Sequence, residues 1–180
     1  MRLLHALALA LAALAAISGA AAANPATAPT AEVHLQNAAN ESVGKVLLRD
    51  TPHGVLMEIE LTNLPPGEHG FHIHEHGQCK PPFETAGGHL NPTSRNHGFE
   101  ATSGAHAGDL PNVVVSDGGT FKGEILAPDV RLTEAGGKGL LDADGSSLVV
   151  HEKADDHKTD PAGNSGSRIA CGIVAKPETH

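Results

Sequence analysis

Seven of the thirteen histidines of this 180-residue chain fall between His69 and Asp109. The stretch reads HGFHIHEHGQC, then GGHLNPTSRNHG, then AHAGD. His72 and His74 stand two apart in an apolar, β-prone run. On a strand, positions i and i+2 face the same side, so both imidazoles can reach one ion while Phe71 and Ile73 point into a core. A loop segment follows that carries His89, His97, His106 and Asp109. Nitrogen donors with one carboxylate suit tetrahedral zinc, and all-imidazole sites suit copper or zinc. One ion cannot use this many donors. The spacing therefore predicts one metal at the strand and a second in the loop.

Short strands must position these groups. Alternation of apolar and polar residues predicts strands at 31–37 (AEVHLQN) and 55–61 (VLMEIEL), with Val33, Leu35, Val55, Met57, Ile59 and Leu61 on inward faces. Further strands are expected at 43–49, 71–74, 111–115, 120–126, 147–151 and 168–175, with turns at DTPHG and DGG between them. Pro65-Pro66-Gly67 is read as the end of the third strand, and Leu140 and Leu141 as a hydrophobic plug. Seven or eight short strands predict an all-β, antiparallel sandwich or flattened barrel. Two connections are long, 75–108 and 152–167. A structureless connection of over thirty residues argues against a compact domain unless something orders it, and two metals and a cross-link would.

Composition narrows the classes further. The formal charge is −9, with 12 Lys and Arg against 21 Asp and Glu, whereas a nucleic-acid-binding footprint is basic. Trp and Tyr are absent, so platforms for stacking bases are also excluded. Arg2, an apolar run at 3–17 and small residues to Ala23 predict an export signal, residues 1–23, cleaved after Ala23. Its apolar run, about 15 residues, is short for a span of roughly 20, so no stable membrane insertion is expected after cleavage. Residues 24–30 (NPATAPT) read as a flexible linker and 31–180 as one domain. The two cysteines, Cys79 and Cys171, suggest a disulfide in an exported chain. The alternative is a pair of thiolate ligands, but they lack short C-x-x-C spacing and histidines already meet the demand for donors.

The segments GFHIHEHG (70–77), GGHLNPTSRNHG (87–98), HAGDLPN (106–112), VVHEKADD (149–156) and GNSGSRIACGIV (163–174) together resemble copper/zinc superoxide dismutase in its exported bacterial form. The resemblance spans about residues 31–175 and implies a Greek-key, Ig-like sandwich with two long functional loops. It implies that His72, His74, His89 and His151 bind copper, and that His89, His97, His106 and Asp109 bind zinc, with His89 bridging the two ions. Asp155 would lie between His72 and His97, fixing both rings. Arg168 would bind the anionic substrate, and Cys79 bonded to Cys171 would clamp the loop beside it. The implied reaction turns two superoxide anions into oxygen and hydrogen peroxide by alternate reduction and oxidation of copper, with His89 also handling a proton. The implied location is the periplasm, where such an enzyme protects against superoxide. The resemblance leaves room for a homodimer. Ala162 stands where many eukaryotic members have threonine, and the connection from His151 to Cys171 is shorter than theirs.

The remaining features read more plainly. His69 and His76 are expected on the surface, and His34, His53, His157 and His180 in solvent. Lys158 is a weak candidate for the rim of an anion channel. Rival readings are a metal buffer, which needs neither Arg168 nor the cysteine clamp, and a blue-copper protein, which would want Cys among the ligands.

Overall fold

A computed structural model describes residues 30–133 and 139–174 of the chain. The expected export signal, all of the linker but Thr30, and His180 lie outside these residues. Among the described residues there are nine strands: β1 Thr30–Asn37, β2 Ser42–Thr51, β3 Gly54–Leu61, β4 Gly67–His69, β5 Phe71–His74, β6 Val113–Val115, β7 Phe121–Ala127, β8 Ser146–His151 and β9 Arg168–Val174. Seven form one antiparallel sheet in the order β5-β8-β9-β1-β2-β3-β7, and β4 pairs with β6 in a separate ribbon. The chain thus leaves β3, crosses to the far edge at β5, and returns to place β7 beside β3. A third crossing carries it from β7 back to β8. These crossings give the Greek-key pattern, and the sheet curls around its apolar face.

Period-two alternation builds the β1–β2–β3–β7 half. Val33 stands opposite Val46, Val46 opposite Ile59, and Leu48 opposite Met57, and all are buried. On the outer face Glu32, Leu47, Glu58 and Glu124 align across the same four strands. Leu140 and Leu141 are buried in the main core, as anticipated.

The other half differs from the sequence expectation. All four residues of β5 and all six of β8 are buried. His72 and His74 are covered by the long connections, so both faces of β5 and β8 are enclosed. The expected strand at 111–115 shortens to Val113–Val115; Pro111 has no amide hydrogen to give a ladder. β3 ends at Leu61, before Pro65-Pro66-Gly67, as expected, and Gly67 then opens the unpredicted short strand β4. That strand carries His69, expected at the surface but 2% exposed. Both ring nitrogens of His69 lie 2.8 Å from backbone oxygens, one of Pro65 and one of His151.

Candidate metal centre

The centre is built on β5 and sewn to it by backbone hydrogen bonds. Ile73 N donates to Gly108 O, Gly108 N to Leu90 O, and Leu90 N to Ile73 O, each at 2.9 Å. Glu75 N donates to Gly88 O at 3.0 Å. These bonds lay the long connection against the free edge of β5, with His89 opposite His74 and Asp109 opposite His72. The residues on either side of the metal-ligating candidates are thus pinned by main chain. His151 ends β8, where its pairing with β9 slips between Val150 and His151. Such an irregularity redirects a side chain at the end of a strand.

Two buried groups of four donors result: His72, His74, His89 and His151, and His89, His97, His106 and Asp109. His89 belongs to both. In the first group each outward nitrogen has an oxygen acceptor. His72 Nε2 donates to Asp155 Oδ2 at 2.7 Å, His74 Nδ1 to Gly87 O at 3.0 Å, and His151 Nδ1 to Gly166 O at 3.3 Å. This fixes the tautomers and turns a lone pair of each ring inward. His74 Nε2 and His151 Nε2 approach to 3.5 Å. Buried His72 Nδ1 and His89 Nε2 have no protein partner at all, and such atoms ordinarily find one. An all-imidazole set with two orphaned lone pairs fits copper.

In the second group Asp109 Oδ2 accepts from the backbone amides of Gly98 at 2.8 Å and His106 at 3.0 Å. Its Oδ1 then faces the Nδ1 atoms of His89, His97 and His106 at 2.8, 3.0 and 3.2 Å, and His106 Nδ1 is 3.5 Å from His89 Nδ1. A tetrahedron with metal bonds of about 2.0–2.1 Å has edges of about 3.3 Å. The donors converge on that size, and three nitrogens with one carboxylate fit zinc.

Burial and charge set the protonation of these groups. Burial holds His72 below, and His74 well below, the ordinary range for histidine. Burial likewise brings His89 down to about 4 and His151 to about 3. These rings are neutral near pH 7, as metal ligands must be. Burial also opposes a charge on His97, but hydrogen bonds to Asp109 and Asp155 outweigh it and raise this ring to about 9. Burial disfavours ionised Asp109 and Asp155, yet their histidine and backbone donors hold both carboxyls far below the usual carboxylate range. Asp155 joins the two groups directly: Oδ2 meets His72 and Oδ1 accepts from His97 Nε2 at 3.0 Å. Gly163, at φ +60°, passes over this bridge, and a β-carbon there would overlap both Asp155 Oδ1 and His97 Nε2.

Arg168 opens β9 beside the first group. Its Nη1 donates to Phe83 O and its Nη2 to Gly87 O, each at 2.7 Å. Gly87 O thus serves both Arg168 and His74. Phe83 and Ala86 pack with Val149 and Cys171 in a small second core against Cys79, and Cys79 is bonded to Cys171. The disulfide therefore steadies the turn that supplies the carbonyls under Arg168. A cavity of about 410 Å³ is lined by His74, His89, His151, Ala162 and Arg168, with Glu75 among its other walls.

Sequence reasoning did not find the carbonyls of Phe83 and Gly87, because every residue has a carbonyl and PPFETAGG carries no marker. It also placed His157 in solvent. That residue is half-buried, and its amide donates to Asp155 Oδ1 at 2.6 Å. His34 and His53 are exposed as expected. His76 pairs with Asp144 at 3.0 Å, partly exposed and outside both groups. Lys158 is not on the cavity wall and pairs with Glu100 at 3.0 Å.

Comparison with known proteins agrees with this geometry. The family described as copper/zinc superoxide dismutase (SODC) matches residues 42–174. A protein of Aquifex aeolicus named superoxide dismutase [Cu-Zn] 2 is 44% identical over 146 residues, 80% of this chain and 85% of that one. A superoxide dismutase [Cu-Zn] of Caulobacter vibrioides is 45% identical over 137 residues, 74% of this chain and 79% of its own. Among solved structures, a crystal structure of a SOD-like protein from Bacillus subtilis superposes with a TM-score of 0.76 at 42% identity, covering 79% of this chain and 96% of that one. The curled antiparallel sheet, the paired donor groups and a match over most of the chain have one reading in common: this chain belongs to the copper/zinc superoxide dismutase family, whose members are oxidoreductases using copper and zinc.

Proposed function

We propose that the first donor group, His72, His74, His89 and His151, holds copper, that the second, His89, His97, His106 and Asp109, holds zinc, and that superoxide reacts in the cavity beside Arg168. The observation that carries this reading is His89, whose two ring nitrogens face the two groups separately. Copper, when bound, supplies the one-electron acceptor and donor that converts two superoxide anions to oxygen and hydrogen peroxide. The remaining work belongs to the chain. Arg168, held from behind by two carbonyls, attracts and orients the anion. His89 Nε2, which has no protein partner, can hold a proton within reach of the cavity and give it to the product. The second group, closed by a buried carboxylate, orders the long connection and keeps His89 in place. Asp155 fixes the rings of His72 and His97 together.

Direct tests are metal analysis of the mature protein and the rate of superoxide consumption. Substituting His89 should disturb both metals, whereas His106→Ala should mainly lose zinc and loosen the loop. Full occupancy of both metals with unchanged spectra in a His89 variant would overturn the shared ligand. The residues before 31 support a further reading, that the chain is exported and removes superoxide outside the cytoplasm, with cleavage after Ala23. N-terminal sequencing of the mature protein and fractionation of the cells test this; an intact N-terminus on cytoplasmic protein would refute it. Among the described residues no helix is long and apolar enough to cross a membrane.

A further inference from the structure

The structure assigns to Asn112 the task of positioning Asp155, and through it the rings of His72 and His97; the inference rests on the reading of Asp155 given above. Asn112 ends the HAGDLPN segment, three residues beyond Asp109. Its carboxamide makes a two-pronged pairing with the main chain of Asp155. Asn112 Oδ1 accepts from Asp155 N at 2.8 Å, and Asn112 Nδ2 donates to Asp155 O at 2.9 Å. One side chain thus satisfies both backbone groups of the residue whose carboxylate spans the two donor groups, much as a neighbouring strand would. The same Nδ2 lies 3.4 Å from His157 Nε2.

The latch joins segments that are distant in sequence. On one side is the connection carrying His106 and Asp109; on the other is the connection 152–167. His157 extends the contact: its amide donates to Asp155 Oδ1, and its carbonyl accepts from Glu100 N at 2.9 Å. At Gly98, with φ +97°, a β-carbon would overlap that same carbonyl. No side chain therefore intervenes there, and the two connections meet backbone to backbone. Asp155 has only its main chain and its neighbours to fix its height above His72 and His97. Without Asn112 its backbone amide and carbonyl lose both partners at once.

Carboxylates that orient a ligating histidine typically change metal affinity by about 10- to 100-fold when removed. Asn112 acts one bond further out, so the expected effect lies at the lower end, about tenfold. The experiment compares Asn112→Ala, Asn112→Asp, Asp155→Asn and Asn164→Ala with the wild-type holoprotein. Asn164 belongs to the same connection but donates to Asp156 and Thr159, not to Asp155. The readouts are zinc affinity by competition with a chromophoric chelator, and the visible and paramagnetic-resonance spectra of the copper-loaded protein. Asn112→Ala is expected to weaken zinc about tenfold and to shift the copper spectra toward those of Asp155→Asn. Asn164→Ala should leave both unchanged, which a general loosening of the loop would not do. If Asn112→Ala does not fold, Asn112→Asp is read the same way, because it keeps the acceptor for the Asp155 amide but turns a carboxylate oxygen toward the Asp155 carbonyl in place of the donor. Wild-type zinc affinity and spectra in the Asn112 variant, alongside altered values in Asp155→Asn, would overturn the role of Asn112 alone. Unchanged values in Asp155→Asn would overturn the reading of Asp155, and this inference with it.

Discussion

Reversing the charge of Arg168 separates substrate guidance from metal binding. The chain carries a formal charge of −9, so its average field repels an anion. A fast reaction therefore needs a local positive region, and the field inside a cleft can differ in sign from the net charge. The Arg168 side chain is 16% exposed, and its guanidinium is held by Phe83 O and Gly87 O. For unit charges about 4 Å apart, attraction is about 1 kcal/mol in bulk water and about 4 kcal/mol near a protein surface. A cavity open to solvent lies between these, so neutralising Arg168 should cost about 2 kcal/mol, roughly 30-fold in the second-order rate with superoxide. Reversal to Glu doubles the change, to roughly 1,000-fold. Arg168→Lys keeps the charge but cannot fork onto both carbonyls, and should fall between wild type and Arg168→Gln. At physiological salt, with a Debye length of about 8 Å, distant acidic residues are screened and groups inside the cleft dominate. The wild-type rate should then fall with added salt, and Arg168→Glu should flatten or invert that slope. The assay is pulse radiolysis or stopped flow over a range of ionic strength, with metal content measured on the same samples. A fully loaded Arg168→Glu protein with the wild-type rate and the wild-type salt slope would show that Arg168 does not guide the substrate.

The same geometry makes three other outcomes testable. Glu84 Oε2 lies 4.0 Å from Arg168 Nη2 and its side chain is 76% exposed; Glu84→Gln should raise the rate a few-fold at low salt, and an unchanged rate would show that the carboxylate is fully screened. The disulfide links residues 92 apart, for which the chain-entropy model gives roughly 4–5 kcal/mol. Its reduction in the metal-free protein should lower the midpoint of thermal unfolding and speed amide exchange at 83–87, and exchange no faster than in the oxidised protein would argue against the clamp. Asp156 is exposed, and hydrogen bonds from the Thr159 amide and hydroxyl, with others from Lys158 and Asn164, lower its carboxyl from 3.8 to about 2. A depressed folded-state value contributes stability that is full above pH 4 and is lost as pH falls through 2. Asp156→Asn should therefore flatten the fall in urea-unfolding stability between pH 4 and 2, and parallel curves would remove Asp156 from the acid response.

Local rules account for much of what the amino-acid sequence revealed. Alternating residues place Val33, Leu35, Met57 and Ile59 inward because successive strand side chains point to opposite faces. The same rule puts His72 and His74 on one side. That rule does not say that the second face of β5 is also buried, because its cover comes from loops with no periodicity of their own. His69 is a case of the same kind. Its strand has three residues, too short for alternation to show, and its partners are main-chain oxygens at Pro65 and His151.

Residue types and their order along the chain supplied the candidate donors: the H-x-H strand, the histidines and aspartate of the long connection, the distant His151, the cysteine pair and Arg168. Those are side-chain identities, and chemistry restricts which types bind metal or anions. How they are held depends on the folded chain. The triangle of backbone bonds through Ile73, Leu90 and Gly108, the carbonyls of Phe83 and Gly87 beneath Arg168, and the clasp of Asn112 on the main chain of Asp155 all use peptide groups. Every residue has a carbonyl, and nearly every one an amide, so no sequence pattern marks which will be used. Their partners are chosen when the two long connections close over β5 and β8 and buried polar groups must find hydrogen bonds.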